Sequence, residues 1–441
     1  MNQKKYGLIS LGCDKNRVDG ERLLAIIREH GGFITDDIAE AEVLIVNTCA
    51  FLNASRKEAI DTILDCNRYR TEGNLQKLVV TGCLPEKYAD EIFAELTEAD
   101  VLLGTNDYDL FFDALALANA GQRVNFTKRN GEIAEKKRVL STPLHYAYLK
   151  IADGCNNHCT YCLIPKIRGR YVSYPMEDLL SEASSLGELS ELVIVAQDTT
   201  RYGEDLYGEN KFCELLQNLT KSDNVHSVRL LYCYPDVIDD RLIAEIRDNP
   251  KIVKYIDIPL QHSEDRILKL MNRKGSRAEY LALIRKLKES IPGIAIRSTF
   301  IAGFPTETEA ESEAMAEFLK EAKLTNCGFF AYSKEPDTAA YRLKGHLPER
   351  VKKARVKKLY GVQKEISKAF LNELVGKCVP VLCDGIDYDR NCFEGRTYFQ
   401  APDIDGKVYF TAPEAVQGKI YTIKINSSDG YDLYGSTEDT L

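Results

Sequence analysis

Residues 146–162 read YAYLKIADGCNNHCTYC. An apolar run leads into Gly154 and then into three cysteines, Cys155, Cys159 and Cys162, within eight residues. The run at 147–152 predicts a strand, so the cysteines fall in the loop at its C-terminal end. Thiolates are the standard ligands of iron–sulfur clusters, and a four-iron cluster takes four ligands. A CxxxCxxC spacing supplies three and leaves one iron open to an outside ligand, as open catalytic metal sites do. Zinc is the alternative, but its sites usually pair CxxC spacings and add a fourth ligand. His158, lodged between the thiols, is poorly placed to be that ligand.

Towards the C-terminus, five more strand patterns follow at 192–196, 228–232, 255–258, 295–301 and 326–332, separated by helical patterns such as 276–289 and 309–323. Six βα units predict an incomplete (β/α)6 barrel over residues 142–374, with its chemistry at the C-terminal ends of the strands. A long helical pattern at 350–374 carries a basic run of Arg350, Lys352, Lys353, Arg355, Lys357 and Lys358. It reads as a solvated helix face, with a contact to RNA as the alternative. Residues 375–441 change character: short strands at 378–383, 407–411 and 418–425 with frequent Gly and Asp predict a small all-β, OB-like barrel.

Towards the N-terminus, residues 121–141 are polar and read as a linker, with a short hairpin at Asn130 and Gly131. Residues 4–120 alternate strand patterns (6–11, 43–47, 78–81, 101–103) with amphipathic helices (18–29, 55–69, 86–96, 110–119). That alternation predicts a parallel, helix-flanked sheet. Cys13, Cys49 and Cys83 occupy SLGCDKN, VNTCAF and TGCLPE, each directly after a strand pattern and spaced 36 and 34 residues apart. Each interval is about one βα unit of some 30 residues. The three thiols therefore recur at equivalent points on the edge where α/β sheets bind ligands, with neighbouring strands about 4.8 Å apart. Read as a set they form a second cluster site; read singly they are small core residues. Cys66, Cys213, Cys233, Cys327, Cys378, Cys383 and Cys392 have no ligand spacing and read as structural.

The chain is an α/β multidomain protein of 441 residues, 44% hydrophobic and 28% charged, with thirteen cysteines. Its apolar runs are strand-length, short of the roughly 20 residues of a membrane span, and no signal-peptide pattern opens the chain. The expected location is the cytoplasm, where such a cysteine count points to metal binding or catalysis rather than disulfides. A net charge of −9 argues against a nucleic-acid footprint over the whole surface.

The aromatic Tyr161 before Cys162 completes a motif that resembles the radical S-adenosylmethionine superfamily. With AQDTTRYG (196–203), IPLQH (258–262), RSTFIAGFPTET (297–308) and AYSKEPDTAA (331–340), the chain resembles the methylthiotransferase family over essentially its whole length, and residues 375–441 resemble a TRAM domain. The resemblance implies two [4Fe–4S] clusters and two uses of S-adenosylmethionine. One molecule donates a methyl group to a sulfur at the N-terminal cluster; the other yields a 5′-deoxyadenosyl radical that removes a substrate hydrogen. By motif position, Tyr161 lies near the adenine, Gln197 and Asp198 meet the methionyl group, and the stretch from Arg297 to Gly303 flanks the ribose or carboxylate. Gly303 also suits a tight strand exit, and His262 reads equally as structural or as a substrate contact.

Two branches of that family differ in substrate: an adenosine of transfer RNA, or the β-carbon of an aspartate in small-subunit ribosomal protein uS12. SLGCDKNRVDGE, RLLYCYPD and GRTYFQAPDIDG resemble the ribosomal-protein branch, with small departures at Gly20 and Gln400. Residues 375–441 carry six basic and eleven acidic side chains. Such a domain repels phosphate backbones and attracts a basic protein, which favours uS12 over transfer RNA. An iron–sulfur electron carrier without catalysis is the reading from another class. Neither the sulfur source nor the reductant has a signature in the sequence.

Overall fold

The computed structural model describes residues 3–127 and 137–437. The N-terminal unit is a six-stranded, all-parallel sheet. Its strands are β1 (Lys5–Ser10), β2 (Phe33–Ile34), β3 (Val43–Thr48), β4 (Lys77–Gly82), β5 (Val101–Leu103) and β6 (Val124–Phe126), in the order β2-β1-β3-β4-β5-β6. Every residue of β3 is buried, because both faces are covered. Leu44 and Val46 pack into one apolar cluster with the helix residues Ala59 and Ile63. Val43 and Ile45 pack into another with Leu23, Ile27 and Phe111. This period-two division between two helical layers is why parallel strands read as unbroken apolar runs.

The central unit adds β7 (Tyr146–Lys150), a short antiparallel pair β8 (Ala152–Asp153) and β9 (Val172–Ser173), then β10 (Glu191–Val195), β11 (Val228–Leu230), β12 (Ile252–Asp257), β13 (Ala295–Ala302) and β14 (Asn326–Ala331). The six long strands are parallel, in the order β14-β13-β12-β11-β10-β7. This is the expected incomplete barrel, opened out between β7 and β14. The C-terminal unit is a closed barrel of β15 (Cys378–Asp387), β16 (Cys392–Arg396), β17 (Val408–Thr411), β18 (Ile420–Ser428) and β19 (Leu433–Thr437). Alternate residues of the central strands face opposite ways. Leu149, Leu192 and Ile194 pack under the helices, whereas Tyr148, Val193 and Val195 share a cluster with Val381, Phe399 and Phe410 of the small barrel. At about 1.5–3 kcal/mol per buried large side chain, that seam fixes the small barrel on the central sheet.

Several sequence expectations change. The short edge strands β2 and β6 have no clear pattern, and β6 lies inside the expected linker 121–141. Arg138, from the same stretch, is buried and pairs with Glu21 at 2.8 Å and Glu182 at 2.7 Å. The stretch therefore ends as a pin between the first two units; the hairpin expected at Asn130 and Gly131 lies outside the described residues. The long helix Glu349–Asn372 is not a uniformly solvated basic face. Lys352 donates to the Tyr332 carbonyl at 2.7 Å, and Arg355 is buried on Glu307 at 2.7 Å. Only part of the basic run stays exposed, because the apolar stems and internal carboxylates draw two cations inward. The acidic C-terminal unit is likewise less acidic outside than its composition implies. Asp384 and Asp405 turn towards His145 and Arg297 of the central unit, and Arg396 turns inward with them to Glu191 at 2.7 Å.

Candidate iron–sulfur and S-adenosylmethionine site

The loop carrying Cys155, Cys159 and Cys162 leaves β8 and returns through β9. Gly154 makes the turn: its φ is +71°, and a Cβ there would sit 2.0 Å from the Arg170 carbonyl oxygen. The Cys155 amide donates to the Gly169 carbonyl at 3.3 Å, closing the loop at its base. The sulfurs are supplied with donors. The Asn157 backbone and side-chain N–H groups reach Cys155 Sγ at 3.5 and 3.4 Å, and the Ile164 amide reaches Cys162 Sγ at 3.4 Å. Arg273 Nη1 and Tyr234 Oη each lie 3.8 Å from Cys159 Sγ, and the guanidinium stacks 4.2 Å from the Tyr234 ring centre. Burial pushes the Cys162 thiol up to about 12 and also raises Cys155. Without a metal these sulfurs are held as neutral thiols, and binding one displaces their protons. His158 is exposed on left-handed backbone with φ +48°.

The second set is built by strand order. Cys13 follows β1, Cys49 follows β3 and Cys83 follows β4, and these are the three adjacent strands β1-β3-β4. Cys13 caps the helix Asp14–Glu29 and Cys83 opens the helix Cys83–Glu95, so both helices begin earlier than the apolar pattern predicts. Gly82 turns the chain at φ +94°, and a Cβ there would meet the Thr48 carbonyl oxygen at 2.4 Å. Burial pushes the Cys83 thiol up to about 11; Arg168 works against the rise, and the neighbouring Cys13 and Cys49 add to it. Cys66, in contrast, is the buried last residue of a helix and packs as core.

Among the described residues, no three His, Cys, Asp or Glu side chains close on a point tight enough for a single metal ion. A four-iron cluster asks for something else, because its cysteine-bearing irons sit at separate corners and need spread thiolates. Each set offers three soft donors, the type of ligand such a cluster takes, and all thirteen cysteines are free thiols.

A cavity of about 400 Å³ opens beside Cys159, lined by Asn157, Asp198, Arg201, Tyr234 and Arg273 among others. Of the residues expected to meet S-adenosylmethionine, Asp198 is in it: buried, accepting from Asn157 Nδ2 at 2.7 Å and from Arg201 Nε at 3.0 Å. Burial raises its carboxyl despite those donors. Gln197 donates to Asp153 Oδ1 at 3.0 Å, and its own Oε1 is buried without a partner, an acceptor suited to a ligand ammonium. Tyr161 packs against Ile267, Met271 and Phe304, and burial raises its phenol, with Cys159 and Cys162 adding to the rise. Arg297 is not with them. It is held by Asp257 at 3.1 Å and by Asp405 of the small barrel at 3.3 Å. Gly303 lies just past β13, its amide donating to Glu307 Oε2 at 2.7 Å under the long helix, the strand-exit role. His262 is buried with Nε2 3.4 Å from the same carboxylate. Sequence reasoning missed Arg168, Arg273, Tyr234 and Asn157: Arg273 and Tyr234 come from distant loops, while Asn157 lies within the motif but outside its pattern.

The chain matches the family models Radical SAM superfamily over residues 149–319, Uncharacterized protein family UPF0004 over 5–104 and TRAM domain over 375–437. It is 43% identical to the ribosomal protein uS12 methylthiotransferase RimO of Lachnoclostridium phytofermentans, over 98% of this chain and 100% of that one. It is 43% identical to the protein of the same name from Clostridium botulinum strain Eklund 17B, over 100% and 99%. Among solved structures it resembles the radical S-adenosylmethionine methyltransferase TsrM from Kitasatospora setae, with a TM-score of 0.56 over 77% of each chain at 13% identity, a likeness of fold. The full-length identity, carried by all three units, makes this chain a radical S-adenosylmethionine enzyme belonging to the family of ribosomal protein uS12 methylthiotransferases.

Proposed function

We propose that the protein, acting in the cytoplasm, transfers a methylthio group to the β-carbon of an aspartate in ribosomal protein uS12, using two molecules of S-adenosylmethionine and two [4Fe–4S] clusters. Cys155, Cys159 and Cys162 would hold one cluster; Cys13, Cys49 and Cys83 would hold the other. Bound there, the clusters and S-adenosylmethionine supply a one-electron cleavage and a poised sulfur, chemistry that no side chain offers to an unactivated C–H bond.

The single observation that carries the reading is the presence of two three-thiol sets in one chain, one in the loop after β8 and one at the ends of the parallel strands β1, β3 and β4. The chain's own groups prepare the site. Asn157 and Ile164 donate to thiol sulfurs, and Arg273 adds a buried cation at Cys159. The carboxylate of Asp198 and the free Oε1 of Gln197 offer acceptors to the methionyl ammonium. Tyr161 supplies an aromatic face beside the thiols. Arg297 and Gly303 act in this reading through the scaffold: Arg297 ties β13 to Asp257 and Asp405, and Gly303 ends the strand. For the substrate, the names of full-length relatives and the surplus of acidic side chains in residues 375–441 both favour a basic ribosomal protein.

Anaerobic incubation with reductant, S-adenosylmethionine and either uS12 or transfer RNA tests this directly. The expected result is a methylthio mass gain on one uS12 aspartate and none on RNA. A gain on RNA alone would move the protein to the transfer-RNA branch.

A further inference from the structure

One residue outside both cysteine motifs touches both sites. Arg168 lies six residues past Cys162, and its side chain is 2% exposed. Its guanidinium crosses from the central unit into the N-terminal one. Nη1 reaches Asp19 Oδ2 at 2.6 Å and Asp153 Oδ2 at 3.2 Å; Nη2 reaches Asn16 Oδ1 and lies 3.6 Å from Cys83 Sγ. Asp153 stands two residues before Cys155 and also accepts from Lys150 at 3.0 Å, and Lys150 in turn pairs with Asp19. Asn16, which receives Arg168, sits three residues past Cys13 and anchors its Nδ2 on the Thr48 carbonyl beside Cys49 at 2.9 Å. A closed, buried network thus runs from the base of one cysteine loop to all three loops of the other set.

We propose that Arg168 is a positioning residue for the N-terminal cluster: it orients Cys83 and sets that cluster's reduction potential through the cation it holds against the sulfur. This rests on the reading of Cys13, Cys49 and Cys83 as a cluster site. The physical reason is direct. Adding an electron makes a thiolate-ligated cluster more negative, and a fixed cation or N–H donor at a ligand sulfur favours that state. In a dry site such a charge is poorly screened. Asp19 counteracts it, since its carboxylate sits on Arg168 and Lys150 together. Removing the cation and removing its counter-charge therefore shift the potential in opposite directions, a signature that loss of packing does not produce.

The test uses the full chain with Cys155→Ala/Cys159→Ala/Cys162→Ala, so that only the N-terminal set can hold iron. After anaerobic reconstitution, the cluster is reduced stepwise by dithionite with mediators, one electron per cluster, and followed by electron paramagnetic resonance. Iron per chain and circular dichroism are measured alongside. With iron held at about four per chain, Arg168→Gln should lower the reduced-to-oxidised ratio at fixed potential at least tenfold, about 59 mV for a one-electron couple. Arg168→Lys should recover most of that ratio, and Asp19→Asn should raise it. An unmoved ratio in Arg168→Gln with iron retained overturns the proposal. If Arg168→Gln loses its iron, Asp19→Asn decides: a raised ratio supports the proposal and an unchanged one overturns it. A parent that binds no iron sinks the cluster reading itself, and the proposal with it.

Discussion

The two cysteine sets solve one problem in opposite ways. Cys155, Cys159 and Cys162 are neighbours in sequence, and a single loop pinned by Gly154 brings them together. Cys13, Cys49 and Cys83 span three βα units, and only the strand order β1-β3-β4 makes them neighbours. Each set has a positive-φ glycine immediately before one cysteine, and each has a buried arginine on one sulfur: Arg273 at Cys159 and Arg168 at Cys83. A loop-borne site survives changes elsewhere as long as its loop closes. A sheet-borne site depends on the register of the whole domain.

The largest expected effect comes from emptying the loop-borne site. Cys155→Ala/Cys159→Ala/Cys162→Ala should abolish reductive cleavage of S-adenosylmethionine, measured as 5′-deoxyadenosine released, while about half of the reconstituted iron remains. Emptying the sheet-borne site by Cys13→Ala/Cys49→Ala/Cys83→Ala should remove the other half. Cleavage should stay within a few-fold of wild type, and methylthio transfer to uS12 should be lost. If both variants lost cleavage equally, the two sites could not be distinct in role.

Next in size is a change remote from both. Arg396→Met leaves Glu191 and Asp384 buried with one cation fewer and should cost about 3–5 kcal/mol, read by denaturant unfolding, with iron content unchanged. Pairing with Arg229 and Arg396 lowers Glu191, and Arg396 with His145 lowers Asp384. That stabilisation is fully present above the ordinary carboxyl range near about 4 and is lost as pH falls through the lower folded values. The deficit of Arg396→Met should therefore narrow below about pH 4.

The glycines sharpen the contrast. Gly154→Ala and Gly82→Ala each force a side chain into left-handed backbone against a carbonyl oxygen, about 1–3 kcal/mol of local strain. The first should lower iron at the radical site alone, and the second at the N-terminal site alone. Smallest of all, Cys66→Ala should cost about 1 kcal/mol for a small buried side chain and leave iron per chain unmoved, which separates core cysteines from ligands.

Much of this was readable in the sequence. Periodicity located all six central strands, because apolar residues recur in each of them at strand spacing despite buried polar residues such as Lys150, Arg229 and Asp257. The edge strands β2 and β6 went unseen, being two and three residues long. Both helix starts at Cys13 and Cys83 fell earlier than the apolar pattern, since their first turns are buried yet carry Lys15, Asn16 and Pro85 among their residues. The basic run at 350–358 misled, because composition counts charges while Lys352 and Arg355 turn theirs to buried partners.

By itself the sequence determined the thiols proposed as ligands and the rhythm that carries them: three in one loop, and three more at one-unit intervals along an alternating chain. Those are local facts, set by bond lengths and by the period of strand and helix. Only the tertiary structure decided that Arg168 and Asp153 join the two sets, that Arg297 serves the seam with the small barrel, and that Asp198 lines the cavity beside Cys159. Those contacts link residues far apart in sequence, and no local pattern records which distant charge a buried group will find.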